Sequence, residues 1–403
     1  MIRKLLPILG ITFIDIVGFS MLLPIMPYFV THFGMSAVFV GILLSTFSLC
    51  QLISGPIWGN VSDRIGRKRV LIISQIGATI GWAMLAFAPT ITWVFIARII
   101  EGVSGGNIGI TQAYVADLVA PKERSRAFGY IGATFAAGMV FGPAAAGLLF
   151  GKFGFAAPFL AASALQFLTL MLTMFFLPES RAKKDDDEPH VGLHEIAGTF
   201  VNPRYRPLLL QKLALSLAMY GWFAVIALYL AGQLHFDVSD TTIYFSIFAV
   251  INLAINGFGV GKTSSRLGDR LMSTLGLGLL VLAFAAVPFT HNVAVLTIVM
   301  VFFATGMAFA NNGLTAMISN AATDREQGTV LGVGSSLDSL SGILAPPVST
   351  GLLARYGPGY AGAEPLVLAV VALILGIRNS IVAPAVGART TEHTAPVHEV
   401  KAL

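Results

Sequence analysis

The chain has 403 residues, of which 56% are hydrophobic and 11% are charged, and its formal net charge is +5. An average soluble domain carries about 25% charged residues, so this chain lacks the polar groups to cover a globular surface, and a soluble globular protein is excluded. The chain has one cysteine, Cys50, and can form no internal disulfide, so cysteine content says nothing about the redox compartment.

A membrane-spanning helix needs about 20 predominantly apolar residues, and the sequence contains twelve runs of this kind. Asp15 interrupts the first run and no A-x-A-like cleavage site follows, which predicts an uncleaved first span and not a signal peptide. Most connections are barely long enough to reverse the chain, so neighbouring helices are expected to be antiparallel. The predicted spans cover residues 5–30, 38–58, 70–88, 91–118, 126–150, 156–177, 207–232, 241–261, 271–290, 292–320, 328–353 and 363–385.

One connection, residues 178–206, is long and polar, and it separates six spans from six. Its charged run 185–188 is predicted to be a solvated linker. The loops GNVSDRIGRK and GKTSSRLGDR are similar and begin 202 residues apart, and repeated halves of this kind are typical of two-bundle transporters. The prediction is an all-α membrane protein with twelve transmembrane helices in two six-helix bundles. It comprises a bundle at 1–180, a cytoplasmic linker at 181–206, a second bundle at 207–385 and a cytoplasmic tail at 386–403.

Lys and Arg are distributed unevenly between the two predicted sides of the membrane. One side receives the N-terminus, the 64–69 cluster, the central linker and the C-terminal tail, and the other receives Lys152 and Arg355. Cytoplasmic loops are enriched in Lys and Arg. Both termini are therefore predicted to be cytoplasmic, in a multi-pass protein of the cell inner membrane.

The loop at 59–71, GNVSDRIGRKRVL, fits the pattern G-x-x-x-D-R-x-G-R-K. Glycine permits a tight turn and the cations favour an anionic leaflet, but charge alone does not explain Asp63 and Gly66. In this loop, and over nearly its whole length, the chain resembles the major facilitator superfamily. The resemblance implies a conformational latch in which Asp63 faces the start of the eleventh helix near Gly328 and Arg67 pairs with Asp117. The implied latch residues are Gly59, Asp63, Arg64, Gly66, Arg67 and Asp117.

The fifth span carries glycines at a spacing that resembles the antiporter signature of drug–proton exchangers: Gly129, Gly138 and Gly142, followed by Pro143. The last glycine of that signature is replaced by Ala146. Close helix packing explains the same spacing without any role in coupling, and both interpretations stay open.

The first span also resembles the twelve-helix drug exporters, through Asp15-Ile-Val-Gly18 with Pro24 and Pro27. Residues 113–133 resemble the tetracycline-exporter branch. The chain departs from that branch in its third span, where Gly81 replaces a buried Asp. This departure argues against tetracycline as the substrate.

Ionisable residues inside spans each cost roughly 2.5 kcal/mol or more at the bilayer centre and are functional candidates. Arg98 and Glu101 lie one helical turn apart and are expected to pair; they match the superfamily pattern R-x-x-Q-G, which is tied to proton coupling, with Glu in place of Gln. A purely structural ion pair is the alternative. The predicted proton-coupling residues are Asp15, Arg98, Glu101 and Asp338, and Asp15 is preferred because its helix offers no basic neighbour. Arg378 is expected to snorkel to the interface.

Polar and aromatic side chains within the spans are predicted either to line a substrate cavity or to join helices. They are Gln51, Asn107, Gln112, Tyr220, Trp222, Asn252, Asn256, Asn311 and Asn312. No metal-ligand cluster, nucleotide loop or nucleophile constellation is visible, and the histidines fall in loops or tails. No metal, cofactor, nucleic-acid partner or enzymatic activity is therefore predicted.

The resemblance implies a proton-coupled antiporter that exports a small amphipathic or drug-like solute by alternating access, with multidrug efflux and antibiotic resistance as the outcome. Its partners would be the solute, protons and the bilayer, and a monomer is expected because each helix of the two bundles is present once. A proton–solute symporter is one alternative, against which the glycine spacing argues. A non-transporting receptor or scaffold is another, against which the buried acids and the complete latch loop argue.

Overall fold

The computed structural model describes residues 2–105, 107–119, 124–180, 198–323 and 326–382, and within these ranges the chain is helical with no strands. Thirteen α-helices carry the fold. Short π and 3-10 turns extend three of them, at Ile255–Val260, Val287–Phe289 and Pro358–Tyr360. The helices are α1 (Ile2–His32), α2 (Ala37–Ile65), α3 (Arg67–Ala86), α4 (Ile91–Ser104), α5 (Asn107–Leu118), α6 (Arg124–Phe153), α7 (Ala156–Phe176), α8 (Arg206–Leu234), α9 (Val238–Ala254), α10 (Gly261–Ala286), α11 (Val293–Ala321), α12 (Gln327–Tyr356) and α13 (Ala363–Val382).

In the described part of the chain, 9 segments are long and apolar enough to cross a membrane. One of them, Val238–Phe289, makes two crossings, because Gly268 breaks the helix with φ 76° and ψ 159°. The two short helices α4 and α5 together make a further crossing, and α12 makes another. The predicted all-α membrane fold with twelve transmembrane helices is therefore confirmed.

The fourth crossing differs from the continuous helix predicted at 91–118, because it breaks between α4 and α5 at Gly105. A broken helix frees carbonyl groups, which must find donors inside a membrane. Here neighbouring helices provide them: Ser54 Oγ donates to the Gly102 carbonyl at 2.9 Å, Trp58 Nε1 donates to the Val103 carbonyl at 2.6 Å, and Ser74 Oγ donates to the Ser104 carbonyl. The break is therefore stabilised by tertiary contacts.

The two similar loops adopt the same backbone turn. Gly66 has φ 103° and ψ 148°, close to the values of Gly268, and only glycine adopts this region without strain. Buried apolar residues form two clusters among α1–α7, one of which also includes Val238 of α9, and one large cluster among α8–α13. We call these sets of helices the first half and the second half. The predicted limits of the linker and tail, 181–206 and 386–403, fall largely outside the described residues.

The two halves meet near one face of the membrane. We call the side where α1 begins the terminal side, and the side where α1 ends the far side. Near the far side, the Tyr28 hydroxyl lies 2.6 Å from Thr241 Oγ1, and Ser45 Oγ donates to the Ile343 carbonyl at 2.6 Å. A methyl group on Gly41 would lie 2.8 Å from the carbonyl carbon of Pro346. These α1–α9 and α2–α12 contacts form a far-side seal.

On the terminal side of this seal, α2 and α12 separate. Gly55 and Gly59 continue the face of α2 that carries Ser45 and Ser48, yet a methyl group on either would meet no atom within 4 Å. The same holds for Gly332, on the matching face of α12. Among the described residues, the cleft between the halves is therefore closed at the far side and open at the terminal side.

Candidate functional site

Asp15 lies in the middle of α1, beside the α7 side chains Gln166 and Thr169. Its Oδ1 is buried and has no hydrogen-bond partner, and neither has Gln166 Nε2. The neighbouring side chains are neutral, so an ionised Asp15 has no counter-charge in contact with it. An uncompensated charge at this depth is costly, which makes the site suited to taking up and releasing a proton.

A second amide of the first half, Gln75 on α3, is fully buried and lacks partners at both Nε2 and Oε1. Ser163 Oγ donates to the Thr79 carbonyl at 3.0 Å and sets the register of α7 against α3. Because the two helices are antiparallel, this register places Gln75 about level with Gln166. Asp15 therefore belongs to a polar layer within an otherwise apolar bundle.

Arg98 and Glu101 form the predicted ion pair on α4, between Nη2 and Oε2, and this prediction is confirmed. Both residues are buried, at 2% and 6% exposure. The Arg98 Cζ atom lies 5.2 Å from the Trp82 ring centroid and 5.8 Å from that of Phe47, within cation–π range. The pair is thus held by aromatic rings in the first half, and its role in proton coupling stays a prediction.

Two glycines of the antiporter-like spacing bring α6 against α1 next to Asp15. Ser20 Oγ on α1 donates to the Gly138 carbonyl at 3.0 Å. A methyl group on Gly138 would lie 2.7 Å from Ile16 Cγ2, and one on Gly142 would lie 2.7 Å from a carbonyl oxygen of α1 and overlap Ser20. Packing therefore requires both glycines. Helix α6 continues through the buried Pro143.

Replacing Gly142 with Ala is expected to destabilise the protein by about 1–3 kcal/mol, because the added methyl group overpacks the α1–α6 contact. Gly129→Ala is the matched control in the same helix, since its methyl group would meet no atom within 4 Å. The control should be neutral or slightly stabilising, because Ala is the better helix former. Thermal unfolding of the purified variants in detergent compares the two, and equal midpoints would contradict the packing role.

The latch loop is assembled around Arg67, which is only 8% exposed. Its Nη2 lies 2.6 Å from Asp63 Oδ1, its Nε lies 3.4 Å from Asp117 Oδ2, and its Nη1 donates to Ser62 Oγ. The implied Arg67–Asp117 pair is therefore confirmed. The implied contact between Asp63 and Gly328 lies outside what the structure describes.

Glu179, which follows the sixth span, was not predicted to belong to the latch. Its Oε1 accepts hydrogen bonds from the backbone N–H groups of Arg67 at 2.8 Å and Lys68 at 3.3 Å. A carboxylate at a helix N-terminus is favoured by the helix dipole and satisfies unpaired donors. Gly66 leaves room for it, because a methyl group there would lie 2.7 Å from the Glu179 carboxyl carbon. Glu179 thus caps α3 and ties the sixth crossing to the latch.

Replacing Asp63 with Asn is expected to slow transport several-fold while leaving the protein folded. The substitution removes one charge partner of Arg67, whereas Asp117 still anchors the guanidinium. Transport rate in proteoliposomes and equilibrium ligand binding in detergent should therefore diverge, with only the rate falling. Transport at the unmutated level would show that Asp63 takes no part in the conformational cycle.

The second half contains an ion pair, between Lys212 and Asp338, that was not predicted from the sequence. Lys212 Nζ on α8 lies 2.9 Å from Asp338 Oδ1 on α12 and donates to Asn311 Oδ1 at 3.2 Å. Ser216 Oγ, one turn along α8, also donates to Asp338 Oδ1. The Tyr220 ring follows one further turn along, 39% exposed, and faces Gly342. Asp338, Asn311 and Tyr220 are thereby brought together, and Lys212 joins them.

Two further acids of the second half act at helix ends. Glu364, in the first turn of α13, accepts a hydrogen bond from Ser349 Oγ at 2.6 Å and lies beside Gly221. Glu326 precedes α12 and accepts from Thr323 at 2.6 Å and from Tyr205 at 2.9 Å. These two hydrogen bonds lower the pKa of Glu326. Neither acid was predicted, although Glu364 lies inside the predicted span 363–385.

The remaining predicted cavity residues divide among several roles. Of the two roles predicted for Trp222, the structure shows helix joining: it is 3% exposed and packs on Tyr229, Phe284 and Phe303 in the core of the second half. Asn252, Asn256 and Asn312 form a hydrogen-bonded ladder that joins α9 to α11.

The predicted cavity residues of the first half are spread apart. Gln51 lies beside the helix break at Gly105. Gln112 is exposed on α5, and the Asn107 side chain lies outside the described part. Among the described residues, no group of three or more His, Cys, Asp or Glu side chains could hold a metal ion.

Comparisons with known proteins agree on one family. The family model for the Major Facilitator Superfamily matches residues 8–346 and 213–402 in two overlapping segments. The class C tetracycline resistance protein of Escherichia coli is 29% identical, covering 92% of this chain and 95% of its own length. Multidrug resistance protein 2 of Bacillus subtilis (strain 168) is 28% identical, covering 92% of each chain. The crystal structure of the nucleoside transporter NupG has the same fold, with a TM-score of 0.77 at 15% identity, and covers 94% of this chain and 98% of that one.

Proposed function

The chain belongs to the Major Facilitator Superfamily and is a membrane transport protein, and we propose that it is a proton-coupled antiporter that exports a small, amphipathic, drug-like solute. The observation that carries the proposal is Asp15. Its Oδ1 is buried without a hydrogen-bond partner, and its side chain faces the neutral α7 side chains Gln166 and Thr169, in the part of α1 that the antiporter-like glycines Gly138 and Gly142 hold against α6. Similarity to tetracycline and multidrug resistance proteins over nearly the whole chain supports export.

We propose that the terminal side faces the cytoplasm, because the basic loops and the latch lie there. In that orientation the open cleft faces the cytoplasm, and the seal formed by Tyr28, Ser45 and Ile343 closes the outer side. This is the state in which an exporter admits its solute. Export then requires the seal to open while the halves close at the latch, which is alternating access by rocking of two bundles. We propose that one chain suffices, since each bundle is present once.

Proton exchange is assigned to the first half. An antiporter must bind its proton and its solute at different times, so the two bindings must be negatively coupled. Asp15 is the proposed proton carrier. Glu101 is the proposed partner acid, held by Arg98.

The packing of Gly81 bears on the choice of solute. The tetracycline-exporter branch that the sequence resembles has a buried acid at this position. Here a methyl group on Gly81 would lie 3.1 Å from Glu101 Oε1, so Glu101 of α4 occupies the space beside α3. The acid beside this position therefore comes from α4 and not from α3, and its carboxyl group approaches from a different backbone. We therefore propose a drug-like solute of related size and do not assign tetracycline itself.

Transport by purified protein in proteoliposomes tests the proposed function. With tetracycline and ethidium as separate probes, an imposed pH gradient should drive at least one of them in the direction opposite to protons, and a protonophore should abolish the movement. Movement in the same direction as protons would establish the symporter alternative. Binding of either probe without transport under any gradient would instead support a receptor.

A further inference from the structure

We propose that Lys212 and Asp338 form a solute-binding subsite on the second half of the cleft, and that this subsite recognises a protonated amine. The inference deepens the proposed function, on which it rests for the entry of a solute into the cleft. It assigns to Asp338 a role in binding, distinct from the proton exchange assigned to Asp15.

The position of Asp338 places it where the cleft begins. Gly342 lies against Ser48 of α2, at the end of the far-side seal that is nearer the terminal side. Asp338 lies one helical turn from Gly342 toward the terminal side, between the seal and Gly332, at which a methyl group would meet no described atom within 4 Å. Its side chain is 34% exposed, although it is in the interior of a transmembrane helix. A solute that enters the open cleft as far as the seal therefore meets this carboxylate.

The hydrogen bonds of Asp338 leave one oxygen for a ligand. Lys212 Nζ and Ser216 Oγ both bond Oδ1, and neither of these contacts uses Oδ2. Both donors are on α8, and together they fix the orientation of the carboxylate through Oδ1. A carboxylate oxygen accepts and does not donate, so its complement on a solute is an N–H or O–H donor.

The neighbouring groups favour a cation over an anion. The ammonium of Lys212 is covered, with its side chain 12% exposed, and Asp338 and Asn311 occupy two of its three donors. An anion would have to displace these partners. In contrast, the exposed ring of Tyr220 lies close to Asp338, and a cation beside an aromatic face is attracted to it. A protonated amine can satisfy the carboxylate and the ring together.

The effect of removing Lys212 distinguishes a binding subsite from an ion pair that is merely structural. Because its charge offsets that of Asp338, it competes with a bound amine for the same carboxylate. Removing Lys212 should therefore strengthen amine binding, whereas removing the charge of Asp338 should weaken it. If the pair served only to hold α8 against α12, both changes would disturb the site in the same direction.

Equilibrium binding of a matched pair of probes to the purified full chain in detergent tests the proposed subsite. The probes are a fluorescent dye bearing a primary amine and its N-acetylated, uncharged analogue. Asp338→Asn should weaken amine binding about tenfold or more, as expected when a hydrogen bond to an amine loses the negative charge of its acceptor, and should change binding of the analogue little. Lys212→Gln should strengthen amine binding several-fold. Ser335→Ala, an exposed site one turn away on α12, is the matched control and should change neither.

Equal binding of amine and analogue by the unmutated protein, or weakening of amine binding by both Asp338→Asn and Lys212→Gln, would overturn the subsite. Thermal midpoints of all variants identify any loss of binding that comes from misfolding, and a conservative Asp338→Glu change should then recover part of the amine preference. These measurements use no gradient. Failure of the subsite therefore leaves the proposed antiport to be decided separately by the proteoliposome experiment.

Discussion

Asp15→Asn is expected to abolish gradient-driven export while leaving downhill exchange of solute. Asn has nearly the same shape and keeps polar contact with Gln166 and Thr169, but it cannot bind and release a proton near neutral pH. Without a titrating group at this site, solute movement loses its link to the proton gradient. The cleft and the far-side seal contain no part of Asp15, so substrate can still cross down its own gradient.

Proton release on solute binding is the direct measurement. Purified protein in weakly buffered solution should release protons when the solute is added, and Asp15→Asn should release few or none at any pH between about 6 and 8, because a group that exchanges protons near neutral pH must titrate in that range. Glu101→Gln is the comparison, since it also removes a carboxyl from the first half and should have a smaller effect. Unchanged release in Asp15→Asn would remove Asp15 from the mechanism and leave Glu101 as the remaining acid.

Local sequence patterns predicted the parts of this molecule that depend on neighbours in the chain. The latch turn was expected because glycine permits it at Gly66, and the Arg67–Asp117 pair was implied by the family resemblance. Arg98 and Glu101 were expected to pair because they lie one helical turn apart. Twelve crossings were predictable because the bilayer thickness sets the length of the apolar run that a spanning helix needs, and such runs are visible in the sequence.

Features that depend on contacts between distant helices could not be predicted in this way. Lys212 lies near the start of the predicted span 207–232 and its partner Asp338 lies in another helix, so no local spacing pairs them. The break at Gly105 is stable only because Ser54, Trp58 and Ser74 donate to freed carbonyls. Nothing in the local sequence shows that these donors are present.

The sequence could not decide between the two roles of Trp222, cavity lining and helix joining, for a related reason. Helix α8 is apolar on nearly all sides, so no periodicity shows which face points to the cleft and which to the core. Trp222 turned out to face Phe284 and Phe303. Tyr220, two positions earlier, points about 200° away around the helix and is exposed, as the helical repeat requires.

Arg98→Met is expected to be the most destabilising single change in the first half. Removing one member of a buried ion pair leaves the other charge uncompensated, at a cost of about 3–5 kcal/mol. Here Glu101 is 6% exposed and Arg98 is its ion-pair partner. Methionine fills much of the volume that the arginine stem occupies between Phe47 and Trp82, so most of the loss should come from charge and not from a cavity. Thermal or denaturant unfolding of the purified variant measures the effect.

The double variant Arg98→Met/Glu101→Gln separates charge from packing. Removing the second charge should restore a large part of the lost stability, because a neutral amide needs no counter-charge, and the coupling energy follows from the double-mutant cycle. Transport by Glu101→Gln alone then decides what the pair is for. If stability and export both survive that change, the pair is structural and Asp15 is left as the coupling acid. If the fold survives and uphill export falls, Glu101 carries protons and Arg98 controls when it does so. A double variant no more stable than Arg98→Met would show instead that the guanidinium acts through its contacts with Phe47 and Trp82, and that charge compensation contributes little.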